Sequence, residues 1–440
     1  MKSKMPLSEI SSIIDSVHKS FESWRETPVP DRCRFIGKVG EQLLAQKLEL
    51  ARICTEEMGK PLRESIAEVE KCALGCKYYS ENGESFLKNE IIKTEGQESF
   101  LSYRPLGVVL AVMPWNFPFW QVIRFAAPAL CAGNGAILKH ASQVPKCALA
   151  LEKIFQDAGL PKNIFRALLI SSDEVSFVIE NPLIRAVTLT GSTAAGRKVA
   201  MKAGECLKKT VLELGGSDAY LILADADLDH AAKTLVQGRM LNAGQSCISP
   251  KRLIAVKEVY QSFKQKVYAE IKNYSYGDPM NEGSHIGPMS RIELRDELHQ
   301  QVLRTIHSGA ELMYGGEIPS EKGAFYPPTL LTNVKPGMAA FDEELFGPVV
   351  CLIEAENEKH AIELANKSEF GLGGGIFSRD IQNARRIAEE HFESGGVFIN
   401  DFLKSDPRLP FGGIKDSGYG RELSALGIRE FVNAKTIFIR

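Results

Sequence analysis

The chain of 440 residues is 44% hydrophobic and 25% charged, with a formal net charge of −2. Its length passes the roughly 250–300 residues at which a single core stops growing, so two or three domains are expected. The near-neutral charge gives no reason to expect nucleic acid or a membrane surface as a partner. Nine cysteines, odd in number and scattered, fit a reduced cytoplasmic protein, and no Cys or His cluster completes a metal site.

The first residues, Met1 to Pro6, carry no apolar signal core. Ile10, Ile13, Ile14, Val17, Phe21 and Trp24 then recur at helical spacing, which predicts a helix with Ser8 as its cap. A second helix is expected from about Asp31 to Met58, stopped by Gly59-Lys60-Pro61, and a third to about Leu87. From Ser99 the pattern changes. Phe100 to Tyr103 reads as strand, and Val108 to Val112 as a buried strand ending before Pro114. The stretch from Val108 to Met113 is also the longest apolar run considered for a membrane span, and it falls far short of the roughly 20 residues required.

Beyond it, strands alternate with helices: strands at 135–138, 165–169, 185–189 and 210–214, helices near 147–158 and 194–203. That alternation predicts βαβ units and a parallel sheet. A second αβ series from Asp229 to about Asn400 includes strands at 252–256 and 349–353. The closing strand, Lys435 to Arg440, has no partner nearby in sequence, so a distant hairpin or another subunit is expected to pair with it.

Four places carry chemistry. Cys247 lies in Asn242-Ala243-Gly244-Gln245-Ser246-Cys247, where small polar neighbours are expected to leave a thiol accessible. Asn116 is the one polar side chain in the stiff Pro114-Trp115-Asn116-Phe117-Pro118, and a rigid amide is a good oxyanion donor. Gly191-Ser192-Thr193 ends a strand and opens a helix, a natural seat for a pyrophosphate, though it is neither the Rossmann glycine fingerprint nor a P-loop. Glu213, closing an apolar run before Gly215-Gly216, is placed to have a raised pKa and act as a base. Each of these has an ordinary structural reading when taken alone: a packed thiol, a turn Asn, a strand–helix turn, a solvated glutamate.

Together, Pro-Trp-Asn-Phe-Pro (114–118), Gly-Ser-Thr (191–193), Glu-Leu-Gly-Gly (213–216), Gly-Gln-x-Cys (244–247), Glu-x-Phe-Gly-Pro (344–348) and Pro-Phe-Gly-Gly (410–413), in this order, resemble the aldehyde dehydrogenase superfamily. The resemblance spans nearly the whole chain. It implies an α/β protein with a Rossmann-like cofactor-binding domain (1–95 and 108–214) and a second α/β catalytic domain (215–410). It also implies a small β element (96–107 and 425–440) joining subunits into a homodimer or homotetramer. By the same resemblance, Cys247 is the nucleophile, Glu213 the general base, and Asn116 with the Cys247 N–H the oxyanion hole. Trp115, Lys139, Ser142, Gly191, Ser192, Glu344 and Phe346 would hold NAD or NADP.

The residues from Asn116 to Ala127, with Leu138-Lys139-His140-Ala141, are similar to the short bacterial succinate-semialdehyde dehydrogenases. Arg124, inside an apolar segment, is then a fork for the substrate's distal carboxylate, with Ser405 beside it; its plainer reading is a structural salt bridge. Leu241 stands where some members have a second arginine, so carboxylate affinity is expected to be weaker, or shared with Arg408. Ser142 replaces the glutamate common in NAD-selective relatives, so NADP is expected to be accepted. Ser249 stands where some members carry a second, switch-forming cysteine. The alternatives are a broad-range aldehyde dehydrogenase with a structural Arg124, and a non-catalytic protein on the same fold.

Overall fold

The computed structural model describes residues 5–440, and the expectation about the first residues falls partly on Met1–Lys4, outside the described range. Helices Leu7–Trp24, Val29–Ala45, Lys47–Met58 and Leu62–Phe86 come first. The first buries Ile10, Ile13, Ile14, Val17, Phe21 and Trp24, the residues that announced it. Its N-cap is Pro6 rather than Ser8, and no side chain caps it; Ser8 already lies within the first turn. The stretch expected as one helix from Asp31 to Met58 is two, broken at Gln46 (φ −106°, ψ 13°), which lets both halves pack on the 25-residue Leu62–Phe86 helix. Gly59, at φ 88°, ends the second half in the left-handed region that glycine adopts without strain.

A six-stranded sheet runs in the order Gly418–Tyr419, Lys209–Glu213, Ile184–Thr190, Val108–Met113, Gly135–His140, Phe165–Ala167. The first pair is antiparallel and the rest parallel. The chain builds outward from Val108–Met113 in one direction, then returns to its other side. A crevice therefore opens at the carboxyl ends of Val108–Met113 and Ile184–Thr190, where doubly wound sheets bind ligands.

The helix Trp120–Cys131 follows the central strand and is buried along its whole length, Pro128 included. Its two polar side chains, Gln121 and Arg124, stand three apart and are buried with the rest, so they face the interior and not solvent.

A seven-stranded sheet runs in the order Glu311–Tyr314, Thr329–Thr332, Val349–Ala355, Arg252–Val256, Ala219–Ile222, Gly374–Phe377, Val397–Ile399, antiparallel only in its first pair. Alternate residues feed opposite cores: Leu253 and Val350 pack on one face, Ile254 and Cys351 on the other. A third sheet joins Glu90–Ile91, Glu98–Pro105 and Val432–Ile439, all antiparallel. The C-terminal strand thus pairs within its own chain, from Val432 opposite Pro105 to Ile439 opposite Glu98. Ser424–Glu430, inside the segment expected as strand, is helix.

Candidate active site

Asn116 leaves the central strand on a loop that is braced from below. Glu68, buried on the Leu62–Phe86 helix, accepts the N–H groups of Phe119 (2.8 Å) and Trp120 (2.9 Å) through one oxygen. Its other oxygen forms a buried ion pair with Lys60, whose ammonium lies 4.0 Å from the Phe117 ring centre. The neutral His140 ring, pushed down to about 4 by burial, accepts the Ala141 N–H at Nδ1 and donates to the Pro118 carbonyl through Nε2 (2.9 Å). The Asn116 amide is oriented from both ends. Gln121 Nε2 donates to its Oδ1 and its Nδ2 donates to the Gln245 carbonyl, both at 3.0 Å. An amide nitrogen carries two hydrogens, so one remains to meet a ligand oxygen.

Cys247 is presented by a left-handed turn: Asn242, Ala243 and Gly244 have φ of 54°, 52° and 71°. Such backbone persists only where its surroundings enforce it. Glu64 accepts the Asn242 N–H at 2.8 Å, and the Asn242 side chain donates to the Asn116 carbonyl at 2.8 Å, tying the two loops together. At Gly244 a Cβ would lie 2.2 Å from the Gly347 carbonyl oxygen, so only glycine fits. Lys251 is buried and donates to the carbonyls of Ser246 (2.9 Å) and Cys247 (2.7 Å), and it pairs with Glu344 at 3.2 Å.

The thiol is less open than its neighbours in sequence suggested. Cys247 is half-buried, and burial pushes its pKa up to about 12 against the pull of Lys251 and Arg124. It rests as the neutral thiol, because the loops that carry it fold over it.

Two cavities meet at Cys247. One, of about 250 Å³, is lined by Trp115, Asn116, Gly191, Ser192, Glu344 and Phe346 among others. It opens at the sheet crevice. Phe346 and Trp115 meet edge to face at 5.9 Å, and Ser192 caps the Thr193–Glu205 helix, accepting the Ala195 N–H. The Gly191 position has room around it, its nearest neighbour lying 3.6 Å from where a Cβ would stand. An open glycine turn, a helix N-terminus and a carboxylate at Glu344 suit a dinucleotide. Lys139 and Ser142 line neither cavity; they lie at the carboxyl end of the adjacent strand, Ser142 exposed. The second cavity, of about 100 Å³, is lined by Cys247, Arg124, Ser405, Trp120, Phe411 and Lys71 among others.

Arg124 lines that cavity but is engaged: it forms a buried ion pair with Glu422, donates to Thr190 Oγ1 at 3.3 Å and lies 4.6 Å over Phe411. Arg408, expected to share a carboxylate with it, instead is exposed and pairs with Asp406 at 2.6 Å. Glu213 is buried at its strand's end, with no hydrogen-bond partner at either oxygen. Burial first, then the neighbouring Glu422, hold its proton well above the usual carboxylate range, against Arg124 and Arg421. It lines neither cavity, packing beside Gly412.

Reading the sequence missed Lys71, Glu68, Gln121 and Lys251. The signal for two of them was present: Glu64, Glu68 and Lys71 stand at i, i+4 and i+7, a polar stripe on a helix that packs inward.

A family model described as the aldehyde dehydrogenase family matches residues 3–437. The chain belongs to the aldehyde dehydrogenase family. It is 46% identical over 430 residues to a succinate semialdehyde dehydrogenase [NAD(P)+] of Escherichia coli K12, covering 98% of this chain and 93% of that one. It is also 46% identical to a probable NADP(+) succinate-semialdehyde dehydrogenase of Synechocystis, over 98% of this chain and 95% of the relative. Among solved structures, it superposes with a TM-score of 0.97 on succinic semialdehyde dehydrogenase from Streptococcus pyogenes in complex with NADP+. That pair is 38% identical, covering 100% of this chain and 96% of the other. No helix among the described residues is long and apolar enough to cross a membrane, and no group of three His, Cys, Asp or Glu side chains there could hold a metal.

Proposed function

We propose that this aldehyde dehydrogenase oxidises succinate semialdehyde to succinate with NADP, accepting NAD as well. The observation that carries the reading is the position of Cys247 in the wall between two cavities. One has the character of a dinucleotide crevice, and the other ends in Arg124, Ser405 and Lys71.

Trp115, Gly191, Ser192, Glu344 and Phe346 would hold the cofactor around the crevice, with Lys139 and Ser142 at its ribose end. The nicotinamide supplies a hydride acceptor there. Cys247 gives its proton to solvent water, the thiolate being favoured by Lys251 and Arg124, and adds through sulfur to the aldehyde carbon. The carbonyl electrons move to oxygen, which takes the spare Asn116 N–H and the Cys247 N–H. Loss of hydride leaves a thioester on Cys247. Glu213, which burial keeps protonated at rest, first gives that proton to solvent water. Its carboxylate then takes a proton from the attacking water, whose oxygen adds to the thioester carbon, and the carbon–sulfur bond breaks to release the acid and the Cys247 thiolate. This last step requires the Glu213 side chain to turn from Gly412 toward the thioester.

Arg124 and Ser405 are assigned to the substrate carboxylate, Arg124 acting as a fixed positive wall held by Glu422. A second reading, a broad-range aldehyde dehydrogenase, is favoured by that same Arg124–Glu422 pair, which leaves the guanidinium already partnered. Nine unpaired thiols support a cytoplasmic enzyme. Exposed Ile91, Phe438 and Ile439 on the three-stranded sheet support subunit association there. The test is reduced-cofactor absorbance with NADP or NAD on adding succinate semialdehyde, butanal or other aldehydes, with Cys247→Ser as control. A preference for uncharged aldehydes refutes the substrate assignment.

A further inference from the structure

The charges around the inner cavity do not balance. Arg124 is answered by Glu422, Lys60 by Glu68, Lys251 by Glu344 and Arg408 by Asp406. Lys71 pairs with no carboxylate among the described residues. The acids that attract it, Glu68 and Asp406, are those already taken by Lys60 and Arg408. Its ammonium instead lies 4.5 Å over the Trp120 ring and donates to Ser405 Oγ at 2.6 Å. Burial, then the field of Arg124, push it down to about 8, so most of it is still charged at neutral pH.

Ser405 gives this cation a direction. Its hydroxyl oxygen has two lone pairs, and both are occupied, by Lys71 Nζ at 2.6 Å and by Trp120 Nε1 at 2.9 Å. The hydroxyl hydrogen is left to donate, and Ser405 lines the cavity. Lys71 keeps two further N–H groups beside it. Position matters as well. Lys71, Phe117, Trp120 and Leu241 line both the inner cavity and a wider one of about 550 Å³, so they form the neck between the two. The inner cavity, about 100 Å³, has the space of roughly three waters and so takes only a short chain.

We infer that Lys71 and the Ser405 hydroxyl form the seat for the distal carboxylate of a short aldehyde acid, holding it at the neck while the aldehyde carbon reaches Cys247. The inference rests on the semialdehyde reading above and moves the decisive charge from Arg124 to Lys71. An unpaired, partly desolvated ammonium beside a hydroxyl with one free hydrogen offers two charge-assisted or polar bonds to one carboxylate. An uncharged aldehyde gains nothing from either.

The test compares succinate semialdehyde with butanal in wild type, Lys71→Met and Lys71→Arg. Lys71→Met is expected to lower kcat/KM for the semialdehyde by at least about 20-fold, chiefly through KM, while butanal changes by less than about threefold. Lys71→Arg should retain most of the semialdehyde activity. A readout free of turnover accompanies it: succinate should slow alkylation of Cys247 in wild type and not in Lys71→Met. The lysine assignment is overturned if the wild type prefers the semialdehyde and Lys71→Met keeps that preference, if it loses both aldehydes alike, or if succinate protects both proteins equally. A wild type that takes butanal as readily as the semialdehyde overturns the substrate reading, and this seat with it.

Discussion

Replacing Asp218 by Asn should remove the fall in stability that this buried carboxyl is expected to impose between about pH 4 and pH 7. Asp218 is buried at the start of the second sheet; one oxygen accepts the Gly373 N–H at 3.1 Å and the other has no partner. Burial raises its pKa from 3.8 to about 7, despite the pull of Lys251 and the Gly373 hydrogen bond. The folded state therefore keeps a proton that the unfolded state gives up at lower pH. Between the two pKa values the folded chain binds more protons, so stability drops as pH rises, and the loss is complete above about 7. At 1.36 kcal/mol per unit, a shift of roughly three units amounts to about 4 kcal/mol. Asn keeps the acceptor for Gly373 and cannot ionise. Urea unfolding of both proteins at about pH 4 and about pH 8 should show the variant gaining on wild type by about that amount. The Asp218 charge also raises the Cys247 pKa, so alkylation of Cys247 at a fixed pH near 8 should quicken in the variant. Equal pH dependence in the two proteins would refute the reasoning.

Three further outcomes follow from the site. Glu213→Gln should leave the first turnover largely intact and slow acid release by about 10²–10⁴-fold, so that an acyl group accumulates on Cys247 and is visible in the intact mass; unchanged steady-state turnover removes Glu213 from the mechanism. Arg124→Leu strands Glu422 in the interior and should cost about 3–5 kcal/mol in denaturant unfolding, most of it recovered on adding Glu422→Gln; a single variant as stable as wild type would mean the buried pair is not formed. Ser142→Glu places a carboxylate at the proposed ribose end and should shift the NADP to NAD ratio of kcat/KM at least about tenfold toward NAD, while a wild type favouring NAD by more than about tenfold would contradict the cofactor preference outright.

The legible parts of this protein are those in which one segment decides its own structure. Ile10 through Trp24 announce a helix because one face meets a core, and Val108 to Met113 a strand because both faces do. Trp120–Cys131 escaped notice for the opposite reason: it is wholly buried, so its apolar run from Val122 to Cys131 is broken only by Arg124, and Pro128 argues against a helix. The break at Gln46 depends on two helices packing against a third, and the partner of Val432–Ile439 lies more than 300 positions earlier. Neither is written locally. Cys247, Asn116 and Glu213 were visible as ordered motifs, yet the burial that raises the thiol and the turn of Glu213 toward Gly412 are tertiary facts.

The same distinction explains the cations of the site. Lys71, Arg124 and Lys251 come from an N-terminal helix, a buried helix and the start of a strand, and in sequence Arg124 alone stood out, because it interrupts an apolar run. Charge in a closed site is decided by which partners remain after folding. Glu422, almost 300 residues away, takes Arg124, and Glu344 takes Lys251 while Lys251 also holds the Cys247 carbonyl. A carboxylate that bound Arg124 directly would have to displace Glu422 or accept its repulsion in a low-dielectric interior, where such contacts are costly. Lys71 asks no such exchange of a ligand, since only a hydroxyl and a ring attend it. The conspicuous arginine thus sets the field of the cavity, and the inconspicuous lysine is the group free to make the contact.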